Sequence, residues 1–343
     1  MHLNTEQEKK YMINPERLCS IRIILLLSLF SLFFTSCASS KLAVREAALL
    51  ENYSFTKPFE NSQFMNINGA RIHIRQWDPS SNAIFRGIVY LIPGATGSTE
   101  NWRYLVPVFR SYGWKVVCAD FPPFGFSGEV QSDSKRLDPL KEDTYSRSAL
   151  MWEVFDALYP SFDGNLILGG HSHGGRIASA MVLERPASVS QLLLFAPALY
   201  GVSTIPGIYK YEPYRSFAQL ESRWLLERYF AVNYVMKEVY GRPVTEKEFN
   251  INWTPFTRPG AKDAAVEWLT ASVDPEPLSL ADITVPVLMF WSKVDSIVPN
   301  KGKKLEKELP NAVYVPIPGS SHCIIETGTS TIIPHLIPLL QSY

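Results

Sequence analysis

Six short, almost uninterrupted apolar runs recur along the chain, at 87–92, 114–119, 166–168, 192–195, 285–291 and 312–317. Stretches with helical periodicity separate them, at 100–109, 145–159, 174–184, 303–309 and 331–341. A strand that is apolar at nearly every position has no face to offer water, so both its faces must be covered. Such strands alternating with helices predict an α/β fold, a mostly parallel sheet between two layers of helix. Ahead of them, Asn68-Gly69 between 64–67 and 71–77 predicts a β-hairpin.

One interval breaks the rhythm. Between Phe195 and Val285 roughly ninety residues carry no strong strand pattern, too many for a simple connection. Residues 217–240 read as one long helix stopped by Gly241 and Pro243, and Thr245 with Glu248 forms a capping box for the next. This is the pattern of an inserted helical lid, 199–279, dividing a core of 63–198 and 280–343. The lid is rich in aromatics from Tyr209 to Trp268. Most are expected to pack the lid itself, and a minority to line an apolar pocket.

The first 36 residues do not belong to the fold. Lys9, Lys10, Arg17 and Arg22 precede an apolar run at 23–34, and Phe34-Thr35-Ser36-Cys37 follows. A basic region, a short apolar core and a small-residue exit predict an export signal over 1–36. The run is shorter than the ~20 residues a membrane helix needs. The exit resembles a bacterial lipobox, with Phe34 where leucine is usual. That resemblance implies lipidation at Cys37 and a membrane-anchored lipoprotein of the bacterial envelope, the alternative being a periplasmic or secreted protein. Residues 37–62 read as a tether with a helical pattern at 42–51.

Lys+Arg and Asp+Glu are equal at 33 each, so no basic excess points to a nucleic-acid partner. Once Cys19 departs with the signal and Cys37 is lipidated, Cys118 and Cys323 remain as thiols, too few for a disulfide framework. The six histidines, His171 and His173 included, lack H-E-x-x-H spacing, so neither a metal nor another cofactor is expected.

Gly169-Gly170-His171-Ser172-His173-Gly174-Gly175 follows the apolar run at 166–168 and opens a helical stretch. A chain that turns from strand into helix within so few residues needs glycines beside the turn, because side chains there would clash. Such a turn lifts the Ser172 hydroxyl clear, next to the free N–H groups of the new helix. Serine is a weak nucleophile until a base takes its proton, and the base needs an orienting acid. In open parallel sheets such groups stand in loops at the carboxyl ends of strands. Asp295 follows the run at 285–291 and His322 follows 312–317, whereas Asp274 and Asp282 precede a strand. The loop Pro93-Gly94-Ala95-Thr96-Gly97 offers the Ala95 N–H, which with that of His173 would receive a developing oxyanion. The Pro- and Gly-rich stretch 120–128 is expected to be structural and to shape the mouth of the site.

Together these motifs resemble the α/β-hydrolase family over residues 64–341. The resemblance implies an eight-stranded, mostly parallel sheet flanked by helices with the lid inserted late in it. It also implies Ser172 as nucleophile, His322 as base and Asp295 as orienting acid. Pro93 stands where many members carry histidine, which leaves a backbone-built oxyanion hole intact. His-Ser-His at the elbow is similar to some bacterial lipases. Serine at this position is unlike the aspartate of haloalkane dehalogenases and epoxide hydrolases. The implied activity is carboxylic-ester hydrolysis, esterase- or lipase-like, on a small or lipid-like substrate. Alternatives on the same triad are a peptidase of proline-iminopeptidase type and a carbon–carbon bond hydrolase. From another class, the chain could be a non-catalytic surface-anchored binding protein.

Overall fold

The computed structural model describes residues 37–52, 54–129, 144–200, 211–271 and 277–343. Residues 1–36, expected to be an export signal, the polar loop 131–143, Tyr209 and Asp274 lie outside the described residues. The strands are β1 (Ser62–Ile67), β2 (Ala70–Trp77), β3 (Gly87–Ile92), β4 (Trp114–Ala119), β5 (Gly128–Glu129), β6 (Leu166–His171), β7 (Gln191–Phe195), β8 (Val287–Ser292) and β9 (Ala312–Ile317). The helices are α1 (Cys37–Asn52), α2 (Val106–Ser111), α3 (Thr144–Leu158), α4 (His173–Glu184), α5 (Tyr214–Leu226), α6 (Tyr229–Tyr240), α7 (Glu246–Trp253), α8 (Ala261–Ala271), α9 (Gly302–Glu308), α10 (Ile324–Thr327) and α11 (Thr329–Gln341).

Eight strands form the sheet in the order β1–β2–β4–β3–β6–β7–β8–β9, and the two-residue β5 pairs with β2. From β4 to β9 every pairing is parallel, while β2 runs antiparallel to both β1 and β4. Strands β3, β6, β7 and β8 are buried at every position, as their apolar sequences require. The hairpin turns at Asn68 and Gly69, both with positive φ (50° and 82°), the geometry a two-residue turn between twisted strands demands. The chain leaves β3 for β4 on one side and reaches β6 on the other. The loops after β3 and β6 therefore face each other across the crevice where strand order reverses, the usual place for a ligand in an open α/β sheet.

Two elements depart from expectation for physical reasons. The helix expected at 100–109 is instead a 3-10 turn, Thr99–Trp102, followed by the separate α2. Pro107 cannot sit inside a continuous helix, where its ring would strike the carbonyl of residue 103, so the helix restarts with proline in its first turn. The long helix expected at 217–240 is two helices, because Arg228 is extended (φ −116°, ψ 113°). The bend turns Ala231 and Val232 inward, while α5 keeps only Ala218 buried. The capping box at Thr245 and Glu248 is present.

The segment read as a tether is helical and docked over α1. Leu42 is 1% exposed in a cluster with Val232, Phe249 and Trp253, with Leu49 packed beside it. Glu46 accepts from Trp253 Nε1 at 2.9 Å and pairs with Lys262 at 2.8 Å. Leu42 and Leu49 are two turns apart, so one stripe of the helix meets the inserted helices.

Candidate active site

Ser172 stands between β6 and α4 with φ 53° and ψ −120°, a backbone conformation that costs a non-glycine residue energy and needs its surroundings to hold it. Those surroundings leave no slack. Ser172 N donates to Phe195 O at 2.9 Å, and Ser172 O accepts from Ala198 N at 3.0 Å. A Cβ on Gly170 would lie 2.2 Å from Gly174 O, and one on Gly174 2.2 Å from Pro93 O. Glycine is required at both positions, so the elbow is a consequence of composition at 170 and 174.

The loop after β3 lies against this elbow: a Cβ on Gly94 would be 2.8 Å from His171 Nδ1 and 3.1 Å from Ser172 Cβ. Ala95 is thereby placed beside the serine. His173 opens α4, so its N–H has no acceptor within the helix. The Gly94-Ala95 loop and the first turn of α4 thus both adjoin Ser172.

Asp295 and His322 meet. Asp295 stands three residues beyond β8, and its side chain is 0% exposed. Its Oδ2 lies 2.8 Å from His322 Nδ1 and accepts from Trp291 Nε1 at 3.0 Å. Its Oδ1 accepts from Ile297 N at 2.9 Å and Val298 N at 2.8 Å. Burial alone would raise the Asp295 carboxyl. The hydrogen bond and charge of His322, with the two N–H groups, outweigh it and hold the carboxyl below its ordinary value. Asp282 lies in a 3-10 turn before β8, at the far end of the strand.

The His322 loop is tied to the elbow through His171, whose Nε2 donates to His322 O at 3.0 Å and whose ring lies 4.8 Å from the His322 ring. Burial, then the neighbouring His322, push His171 down to about 3, so it is a neutral spacer. Among the described residues, no hydrogen bond joins Ser172 Oγ to the His322 ring. The acid–imidazole link is closed, and the serine–imidazole link is the one a substrate complex would tighten.

The walls are apolar. The His173 ring packs on Phe121 (5.5 Å) and edge-on to Trp268 of α8 (5.0 Å), and Trp268 meets Phe124 at 5.0 Å. Burial, with the Arg147 and Arg176 charges, pushes His173 well below its usual value, so its ring serves as wall. Trp268 is the inserted aromatic that stands at the elbow. Phe249 and Trp253 instead pack under α1, while Tyr211, Tyr214 and Tyr234 face solvent. Phe256 lines a shallow cleft with Thr96, Pro123 and Phe124. Asp120 in the 120–128 stretch is structural, accepting from Thr99 N at 2.6 Å, His73 Nδ1 at 2.9 Å and Phe126 N at 2.8 Å. Among the described residues, no three His, Cys, Asp or Glu side chains gather as a metal ion would need.

One functional candidate gave no sequence signal. The buried Glu326 carboxylate, two residues past Ile324, gathers Asn101, Arg103 and Tyr240. Nothing in its local spacing marks it, because those partners come from elements remote in sequence.

Residues 87–329 match the family described as alpha/beta hydrolase fold. An uncharacterized hydrolase, YugF, of Bacillus subtilis is 26% identical over 75% of this chain and 90% of its own length. A 2-hydroxy-6-oxononadienedioate/2-hydroxy-6-oxononatrienedioate hydrolase of Cupriavidus pinatubonensis is 23% identical over 64% of this chain and 73% of its own. Among solved structures, an esterase of Exiguobacterium antarcticum superposes with TM-score 0.61 at 17% identity, covering 81% of this chain and 97% of its own.

Proposed function

This chain belongs to the alpha/beta hydrolase family, and from that premise we propose that it is a serine hydrolase cleaving carboxylic esters. Ser172 attacks the ester carbonyl while His322 Nε2 takes the hydroxyl proton. The oxyanion that forms accepts from the N–H groups of Ala95 and His173. When the tetrahedral intermediate collapses, His322 returns the proton to the departing alcohol and an acyl-enzyme remains. Water, deprotonated by His322, then releases the acid and restores Ser172. Asp295 fixes the tautomer that leaves Nε2 free and stabilises the imidazolium. The observation that carries the reading is the buried 2.8 Å Asp295–His322 pair beside a serine held at positive φ. The Phe121, Phe124 and Trp268 wall favours an apolar acyl group.

A panel of p-nitrophenyl esters of rising chain length, set against aminoacyl anilides, tests it. Ester turnover that vanishes in Ser172→Ala is expected, together with fluorophosphonate labelling of the wild type at Ser172. Anilide cleavage without ester cleavage would mean a peptidase, and a chain inert to all three a binding protein. A second reading, carbon–carbon bond hydrolysis on the same triad, draws on the likeness to the Cupriavidus hydrolase, whose named substrate is an oxo-acid rather than an ester. Turnover of a vinylogous diketone in preference to every ester would favour it.

Export and anchoring at Cys37 rest on the basic, apolar and small-residue order of 9–37. Labelled fatty acid should enter the wild type and not Cys37→Ala. Equal labelling of both would remove the anchor.

A further inference from the structure

The corner where α6 meets α7 is tied to the loops bearing Asp295 and His322 by more than contact. Cys323 N donates to Val239 O at 2.9 Å, and Ser296 Oγ donates to Glu238 O at 2.9 Å. Gly241 closes α6 at φ 70°, where a Cβ would lie 2.9 Å from Ser321 Cβ. Beside these bonds lies a closed ring. Asn252 Nδ2 donates to Tyr240 OH at 2.9 Å, and Tyr240 OH donates to Glu326 Oε2 at 2.7 Å. Asn101 Nδ2 donates to Glu326 Oε1 at 2.7 Å and to Asn252 Oδ1 at 3.1 Å. Arg103 Nη2 completes the carboxylate's partners.

The members of the ring come from three parts of the molecule. Glu326 sits in α10, just past His322. Asn101 sits in the 3-10 turn after the Ala95 loop, where its Oδ1 accepts from Ser98 N at 2.7 Å, which leaves only its amide nitrogen for the ring. Tyr240 and Asn252 belong to the inserted helices. The Glu326 side chain is 1% exposed, so its bonds to Asn101 and Tyr240 lie where water cannot replace them. Burial, with the Cys323 thiol and the Glu326 carboxylate beside it, pushes the Tyr240 phenol far up, keeping it a donor.

We propose that Glu326 is a positioning residue that holds the His322 loop, the turn after the Ala95 loop and the α6–α7 corner in one fixed arrangement. The inference rests on the triad reading of Ser172, Asp295 and His322. It makes the α6–α7 corner a fixed buttress of the His322 loop.

Two measurements on the full chain test it. With p-nitrophenyl butyrate, Glu326→Gln lowers kcat by about 10- to 100-fold, the scale on which small misplacements act, while KM changes by less than about threefold. Tyr240→Phe, which removes one hydroxyl and no bulk, follows in the same direction. The double variant Tyr240→Phe/Asn101→Ala loses no more than the worse single one, because both break the same ring. Unchanged kcat in every variant, or losses that multiply, would overturn the proposal. Amide hydrogen exchange reads the ring without turnover. In Glu326→Gln, exchange rises together at 98–103, 236–252 and 321–327, and a rise confined to 321–327 would overturn it. Absence of ester turnover in the wild type sinks the triad reading alone, since exchange still decides whether the ring clamps the three segments.

Discussion

Gly174 and Phe217 mark two extremes of packing in one molecule. A Cβ on the first would meet Pro93 O at 2.2 Å and Ile92 O at 2.4 Å, whereas the second leaves its ring 59% exposed on α5. The carboxyl edge of the sheet is shaped by backbone pressed on backbone, and so by residues that have no side chain. The inserted helices are shaped by side chains, unevenly. The α6–α7 corner holds a buried polar ring and the cluster under α1, while α5 buries only Ala218. Backbone-built geometry tolerates no substitution, and side-chain-built geometry tolerates change in proportion to burial.

The sharpest way to break this contrast is Gly174→Ala. Neither carbonyl can yield without moving β3 or the loop that carries Ala95, so a loss of roughly 4 kcal/mol or more is expected, at the overpacked end of single substitutions. Chemical denaturation would read it. A loss below about 1 kcal/mol would mean that the elbow has slack.

That same rigidity explains what was legible in the sequence. Most of the apolar runs told the strands because burial on both faces forbids polar residues, whereas β9, at the sheet's edge, leaves Val313 and Pro316 exposed. The glycines at 170 and 174 told the elbow because no other residue fits there. The meeting of Asp295 and His322 was legible because both residues follow strands that end at one edge of the sheet. The break at Arg228 could not, since neither proline nor glycine marks it and only packing against α1 and α7 rewards the bend. Strand β8 begins at Val287, two residues into its apolar run, because Pro286 has no N–H for the ladder and offers only its carbonyl, to Leu192 N. The Glu326 ring was invisible for a different reason. Its members are ordinary polar residues until the chain brings together positions 225 and 86 residues apart.

The next effect in size belongs to the inserted side. Trp253 is 1% exposed, stacks on Phe256 at 5.1 Å and donates to Glu46 Oε1. Trp253→Ala should cost about 3 kcal/mol, the lower end for a buried aromatic whose site can partly collapse. It should also release α1, read as faster amide exchange over 41–51 with 166–171 unchanged. Equal loosening of β6 would mean that the helices and the sheet fold as one unit, and the contrast between them would fail.

At the sheet edge, acid probes the buried spacer. His171 is held neutral, with its folded pKa pushed to about 3 from an ordinary 6.5. The unfolded chain therefore binds a proton there below 6.5 that the folded chain refuses, and stability falls as pH drops from 6.5 towards 3. At about 1.4 kcal/mol per pH unit, the contribution at pH 5 is roughly 2 kcal/mol. His171→Gln should flatten the stability profile between pH 7 and 5 by about that amount. An unchanged slope would assign the acid sensitivity to other groups.

The smallest effect tests the exposed extreme. Phe217 lies three residues from both Tyr214 and Leu220, and all three are exposed on one side of α5. Folding has removed little apolar area there, so Phe217→Ser gives up little hydrophobic stabilisation. Serine and phenylalanine have nearly equal helix propensities, so lost contact with helix neighbours sets the scale, within about 0.5 kcal/mol. The comparison should be made beside Ala218→Ser, which differs by one position and places a hydroxyl on the buried face of the same helix. If the two variants melt alike, burial does not govern the inserted helices. If Phe217→Ser alone destabilises by more than about 1 kcal/mol, the ring is covered in solution and α5 has a partner surface. The expected order, with Ala218→Ser clearly the worse, follows from the argument that separates Gly174 from Phe217: what a substitution costs is set by what already occupies the space.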